Sequence, residues 1–371
     1  MYIAVAKESN PEETRVALLP SSVEKLSALR INVLVEEGLG KGLHHSDEDY
    51  RKAGAEVVSR EELFSKANMV LQVSAPIHDN FKIKDNSSYL GFLDPFNHRE
   101  LLQRFARQRI DAFSMEMLPR ITRAQKMDVL SSQASLAGYQ AVILAAKRLD
   151  RVFPMMTTPA GTLFPAKIFV IGAGVAGLQA IATAKRLGAR VEAFDTRTVV
   201  EEQIRSLGAK FIKINLGETG QTQNGYAREL TSEQLEKQRQ TMGKHCASSD
   251  VVITTAQIFG KKAPVIVTQD MVQKMRPGSI IIDLAASTGG NVEGSHAGEE
   301  VNINGVTILG PVEPARQIPL HASQMYSSNV VNFIMEFWNQ EKKKINLNLQ
   351  DDIIKNCLIT HKGEIIHQRF K

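Results

Sequence analysis

Cysteine is scarce in this chain of 371 residues: Cys246 and Cys357 are too few for a disulfide framework or a thiolate metal cluster, and they suit a reducing compartment. Aromatic residues are thin as well, at 6% with a single tryptophan. The 45 basic and 40 acidic side chains are interspersed, the net charge is +5, and the one cationic run, 342–344, is short. Nucleic-acid binding needs a basic stripe with aromatic platforms, so that class of partner is excluded. Of the nine histidines, His44 and His45 are adjacent and the others scattered, without metal-ligand spacing, and no metal is predicted. Long apolar runs are missing too. The longest, residues 167–184, is broken by three glycines and runs into Lys185 and Arg186, short of the ~20 residues of a membrane span. The sequence therefore predicts a chain that does not cross a bilayer, and the start MYIAVAKES has no signal-peptide character.

What is present is an ordinary globular composition, 43% hydrophobic and 23% charged, at a length that suits two domains. Short apolar runs at 2–6, 32–36, 69–73 and 89–93 read as buried strands, and 22–29, 61–66 and 98–107 have helical spacing. Such alternation implies a mostly parallel sheet covered on both faces. Residues 133–149, rich in Ala, Leu and Gln, predict one long helix linking two domains. From Lys167 a second alternation begins: strands at 167–171, 190–194, 211, 251–254, 279–283 and 306–309, with helices at 175–187, 199–207 and 268–275. The polar, glycine-containing stretch 215–225 reads as an exposed, mobile loop. The tail, with a helical pattern at 326–338 and a final segment 351–367, is too short for its own domain and is expected to pack back on the first. The fold class is thus α/β, two Rossmann-like domains with parallel sheets joined by long helices: a discontinuous first domain, 1–132 with 318–371, and a second, 133–317. Met115, Met117 and Met127 are expected to fill gaps between the domains.

The sharpest local signal is Gly172-Ala-Gly174-Val-Ala-Gly177, set between a predicted strand and helix as a dinucleotide-binding turn requires. Gly172 permits the turn, Gly174 admits a pyrophosphate to the backbone, and Gly177 allows close helix–strand contact. Asp195 ends the next strand, where a carboxylate accepts from an adenosine ribose and repels a 2′-phosphate. That favours NAD over NADP, although neighbouring Arg197 weakens the argument. Ala256 and Gln257 follow the strand 251–254 at the ligand-binding edge of the same sheet, where a plain turn is the competing reading.

KESNPEETRVALLP, MEMLPRITRAQKMDVLSSQASLAGYQAV, GAGVAGLQAIATAKRLGARVEAFDTR and NGYAREL, with IIDLAASTGGN and the closing ITHKGEIIH, together resemble the NAD(H)-binding domain I of the proton-translocating nicotinamide nucleotide transhydrogenases. The resemblance covers nearly the whole chain, which is similar to the separate soluble alpha-1 subunit. It implies NAD(H) as cofactor and direct hydride transfer from NADH to NADP⁺ on a partner beta-subunit, coupled to proton movement through membrane subunits. No nucleophile or general acid is then required, only orientation of two nicotinamide rings. It also implies a homodimer, cytoplasmic and peripheral on the inner face of the bacterial inner membrane through alpha-2 and beta partners, without direct insertion.

By resemblance, Arg120, Gln125, Asp128 and Ser131 form the polar cluster around the nicotinamide and are the candidate catalytic residues. Arg120 and Asp128 are suited to pair. Ile121, Thr122, Arg123, Lys126 and Met127 of the same stretch are candidate cofactor contacts. So are Gly172, Gly174, Val175 and Gly177 at the turn, Asp195, Thr196 and Arg197 at the ribose, Gly225 and Tyr226 on the loop, Gln238 on the helix after it, and Gln257, where the family usually has leucine.

The main rival is a free-standing NAD-dependent alanine dehydrogenase, which begins similarly. Of that enzyme's substrate groups Arg15 matches the arginine, but Ser74, Asp94 and Ser287 stand where its lysine, histidine and aspartate would fall. An NAD-responsive binding module without chemistry is a further alternative.

Overall fold

Strand sequences that are apolar throughout, such as residues 3–5 and 33–35, have no polar face and are stable only with both faces covered. A computed structural model describes residues 1–77, 83–214 and 231–371 and places both in the middle of a sheet. Tyr2–Val5 lies between parallel Asn32–Glu36 and Met69–Leu71. Ala55–Val58 flanks one side, and Ser88–Gly91 with Asp111–Ser114 extends the other, all parallel. Antiparallel Leu358–His361 and Glu364–Ile365 complete this sheet of eight strands.

The described chain forms two compact units, Met1–Gln133 with Arg316–Lys371, and Ala134–Ala315. Side chains show why the tail belongs with the first. On the helix Pro319–Phe337, Ser323 and Ser327 hydroxyls accept from the Val16 and Leu19 N–H groups at 2.9 and 3.1 Å, and Tyr326 donates to the Gln72 carbonyl at 2.9 Å. Phe333 and Tyr326 enter the same buried cluster as Ile3, Val33, Leu71 and Phe113. Farther on, the register slips between Leu358 and Thr360, where the Thr360 hydroxyl donates to the Ile110 carbonyl and accepts from the Ala112 N–H.

In the second unit the spatial order is Lys210–Phe211, Arg190–Phe194, Lys167–Ile171, Val251–Thr254, Ile280–Asp283, Val306–Leu309, with antiparallel Glu300–Ile303 at the edge. Apart from that edge strand the sheet is parallel and doubly wound, and its order reverses between Lys167–Ile171 and Val251–Thr254, where such sheets bind ligands.

Val129–Arg148 corrects one expectation. At 20 residues with mean hydropathy 1.2 over its apolar window, this helix is long and apolar enough to cross a membrane by length and composition. It is a core helix only in part, with 33% of that window buried: Val129 belongs to the core of the first unit, and Ala141, Val142 and Ala145 to that of the second. Two of the three methionines are also corrected. Met115 and Met127 lie in the first unit's own core, and Met117 is buried.

Candidate functional site

The second unit builds the glycine turn as the residue types demand. Gly172 has φ +95°, a region side chains rarely adopt. A Cβ on Gly177 would stand 1.9 Å from the Gly172 carbonyl oxygen, so the helix Val175–Arg186 approaches the strand as only glycine allows. Among the described residues, a Cβ on Gly174 would meet nothing within 4 Å, and no side chain caps the helix that it opens. Open space at an uncapped helix N-terminus suits an anion, which backbone N–H groups and the helix dipole both favour. Val175 is exposed at its rim.

Asp195 ties this turn to the next strand. One carboxylate oxygen accepts from the Ala173 N–H (2.7 Å) and Arg197 Nη2 (2.9 Å), the other from Arg197 N (2.8 Å) and Nε (3.0 Å). The arginine that complicated the NAD preference is therefore engaged by the acid itself. Thr196 is half-buried between them. An open depression of ≈ 570 Å³ follows, lined by Thr198, Val199, Glu201, Glu202, Arg205 and Ser206.

At the neighbouring strand end, Thr255 donates to the Gly172 carbonyl at 3.1 Å. Asn291 clamps Ala256, accepting from its N–H at 2.9 Å and donating to its carbonyl at 2.8 Å. Asn291 is itself set by Asp283, a fully buried carboxylate that accepts from Thr254, Ala285, Asn291 and Val292. Sequence reasoning missed both residues; the available signal was an Asp closing an apolar strand and an Asn after paired glycines. Gln257 is exposed, and its amide donates to the Leu284 carbonyl at 2.8 Å, linking two strand ends where a leucine would only pack. Gln238, on the helix Ser232–Ala247, is buried with its Oε1 lacking a partner among the described residues. An orphaned acceptor of this kind costs about 1–3 kcal/mol, which a ligand donor would recover. Gly225 and Tyr226, with the stretch 215–225, lie outside the described residues.

In the first unit, Arg120, Gln125, Asp128 and Ser131 line one pocket of ≈ 360 Å³ with Leu118, Pro119, Ile121 and Ala124. Arg120, Ile121, Thr122 and Gln125 are exposed. Asp128 caps the helix that follows: its carboxylate accepts from the Ser131 N–H at 2.9 Å and hydroxyl at 2.5 Å, which fixes both side chains at the pocket wall. The pocket thus offers a carboxylate, a hydroxyl, an amide and a guanidinium, the groups that can orient a carboxamide. Arg123 and Lys126 turn instead to acids of their own unit, at 2.6 Å from Asp351 and 2.6 Å from Glu336, and Met127 is fully buried. No group of three or more metal-ligating side chains occurs among the described residues.

Arg15, the group shared with amino-acid dehydrogenases, is sealed. Its side chain is 1% exposed, paired to both oxygens of Glu13 at 2.7 Å, and donates to Gln133 at 3.0 Å. Ser74 and Arg316 also donate to Glu13, at 2.7 and 3.0 Å. Nearby, burial pushes the Glu8 carboxyl up to about 8, against the Val73 and Ser74 N–H groups that hold it down. Because its folded pKa lies above the unfolded 4.5, the folded state holds the proton more tightly, and that stabilisation is lost as pH rises toward 8. Melts followed by the fluorescence of Trp338, the single tryptophan and a residue of this unit, should fall between about pH 5 and 8.5. Glu8→Gln should flatten the slope; an unchanged slope would reject the assignment.

Sequence profiles for the N-terminal and C-terminal domains of alanine dehydrogenase/PNT match residues 4–137 and 141–368. In Rhodospirillum rubrum, the first of the separate parts of NAD(P) transhydrogenase subunit alpha is 42% identical over 99% of this chain and 98% of its own length. The crystal structure of transhydrogenase from Sinorhizobium meliloti superposes with TM-score 0.85 at 41% identity, covering all of both chains. An L-alanine dehydrogenase structure reaches TM-score 0.83 at 25% identity, covering 100% of this chain and 98% of that one. The alanine dehydrogenase of Methanococcus maripaludis is 26% identical over 79% of this chain and 74% of its own. The chain therefore belongs to the alanine dehydrogenase/PNT family, on the side of the NAD(P) transhydrogenase alpha subunits.

Proposed function

We propose that this chain is the NAD(H)-presenting subunit of a proton-translocating transhydrogenase. Gly172, Gly174, Val175 and Gly177 would take the diphosphate at the helix start and Asp195 with Thr196 and Arg197 the ribose, with Gln238 and Gln257 as further cofactor contacts. Arg120, Gln125, Asp128 and Ser131 orient the nicotinamide carboxamide. When bound, NADH would supply a hydride from ring C4 to NADP⁺ on a partner beta-subunit, leaving NAD⁺ and NADPH. This chain's residues position the ring and exclude water, and none needs to exchange a proton.

The observation that carries the reading is the contrast between an open phosphate cradle at Gly174 and a sealed Arg15. A chain with the first and without an accessible carboxylate-binding arginine supports nucleotide presentation over metabolite oxidation. Mixing the protein with an NADP(H)-binding component should give hydride transfer between nucleotide analogues. Tight nucleotide binding without transfer would defeat the proposal, and alanine-dependent NAD⁺ reduction by the protein alone would establish the rival.

A homodimer is part of the same proposal, docked to membrane alpha-2 and beta subunits at the inner face of the bacterial membrane. Its support is the hairpin Met156–Thr158 with Gly161–Leu163, exposed throughout, beside Met155 and Phe164 at 63% and 80% exposure. A lone two-stranded hairpin is marginal in water, and exposed Met155, Met156, Leu163 and Phe164 on and beside it mark a surface that a partner covers. Phe164→Asp should convert dimer to monomer in sedimentation analysis, and a dimer of unchanged strength would remove the hairpin from the interface.

A further inference from the structure

The 3-10 turn Thr122–Met127 places Gln125 at the pocket and is held by a set of bonds from the far end of the chain. Arg123 pairs with Asp351 at 2.6 Å and lies 3.5 Å from Glu336, while Lys126 pairs with the other Glu336 oxygen at 2.6 Å. The Lys126 carbonyl accepts from two amides, Asn329 at 3.0 Å and Asn332 at 2.9 Å. Asp351 is fixed independently, because it caps the helix Asp352–Cys357 through the Ile353 N–H. Glu336 stands in the last turn of Pro319–Phe337, where a carboxylate opposes the helix dipole and no basic residue of that turn offsets it. Its placement is unfavourable for its own helix and makes sense only through the two cations it receives.

We propose that Glu336, Asn329 and Asn332 are positioning residues for the nicotinamide-binding turn, and that Arg123 and Lys126 are its anchors, not nucleotide contacts. Fixing the turn at both ends holds Gln125 toward the pocket before ligand arrives. A turn that is competent only part of the time binds more weakly in proportion to that fraction, with little change once saturated. This inference rests on the reading of Arg120 to Ser131 as the nicotinamide site.

The test compares NADH with ADP-ribose, which shares the diphosphate and adenosine but lacks the nicotinamide, in titrations of the full-length chain. Glu336→Gln and Asn332→Ala should each weaken NADH about five- to tenfold and leave ADP-ribose within about twofold, whereas a loss of general folding would weaken both. In the reconstituted transfer reaction, KM for NADH should rise by the same factor with kcat nearly unchanged. Gln125→Ala examines the underlying reading by the same ratio. If Gln125→Ala shifts the ratio and the Glu336 and Asn332 variants do not, the positioning role is overturned and the site stands. If Gln125→Ala leaves the ratio unchanged, the nicotinamide site itself is misplaced, and equal loss of both ligands in the Glu336 and Asn332 variants also overturns the proposal.

Discussion

Gly177→Ala is expected to lower NADH affinity roughly a hundredfold and to destabilise the second unit by about 2 kcal/mol. The added Cβ would sit 1.9 Å from the Gly172 carbonyl oxygen and 2.9 Å from its carbon, and both are backbone atoms that cannot rotate away. The helix Val175–Arg186 must therefore move off the sheet, carrying the N–H groups of its first turn with it. Two charge-assisted bonds lost at about 1.5 kcal/mol each amount to that factor in affinity. Gly174→Ala is the control: its φ is −75°, its Cβ meets no atom of the described residues within 4 Å, and it should weaken nucleotide binding without moving the melting temperature. Calorimetric titration beside thermal melts reads both quantities, and wild-type binding by Gly177→Ala would rule out the cradle.

Glu13→Ala should cost the first unit about 3–5 kcal/mol, because it leaves Arg15 charged and buried with its main partner gone. For a unit of roughly 190 residues that corresponds to a drop of about 10 °C. Burial alone would push the Glu13 carboxyl up, but hydrogen bonding and charge from Arg15, with Arg316 and Ser74, hold it below the usual range. Its stabilisation is therefore present above the unfolded value near 4.5 and is lost as pH falls through the lower folded value. Glu13 and Glu8 thus oppose one another across the pH range, and the wild-type profile should bend at both ends. A Glu13→Met, Arg15→Leu double variant should recover much of the loss, since the buried charge goes with its partner. Trp338 fluorescence isolates this transition from the second unit. A melt shifted by less than about 2 °C would mean that Arg15 finds other partners and is not sealed.

Much of the fold was legible because its strands are buried on both faces. Asn32–Glu36, Lys167–Ile171, Arg190–Phe194, Val251–Thr254 and Val306–Leu309 occupy the residues read as strands, as continuous apolar runs between turn signals should. Asp111–Ser114 and Ala55–Val58 are not legible as strands in the sequence. The sequences DAFS and AEVV are four residues long and mix in poor strand formers, so pairing with neighbours decides their state. Leu358–His361 is similar, since its docking depends on one threonine hydroxyl meeting backbone groups 248 and 250 positions away. The apolar character of the helix Val129–Arg148 is hidden in the sequence because its glycine and serines interrupt the run of hydrophobic letters without lowering its average enough.

The site divides along the same line. Gly172, Gly174 and Gly177 were readable with their separate duties, because a positive φ, an open approach and a close contact are backbone demands that select glycine locally. Arg123 and Lys126, by contrast, look like ligand cations in the string RITRAQKMD, and only the fold brings Glu336 and Asp351 to them. The same holds for Arg15, whose match to a substrate-binding arginine is plain in sequence while its burial against Glu13 and Gln133 is not. Local backbone geometry is written in neighbouring residues, so the sequence by itself determined the glycine turn and the parallel sheets. Which charges remain available for a ligand depends on partners hundreds of residues distant, and that the tertiary structure alone decided.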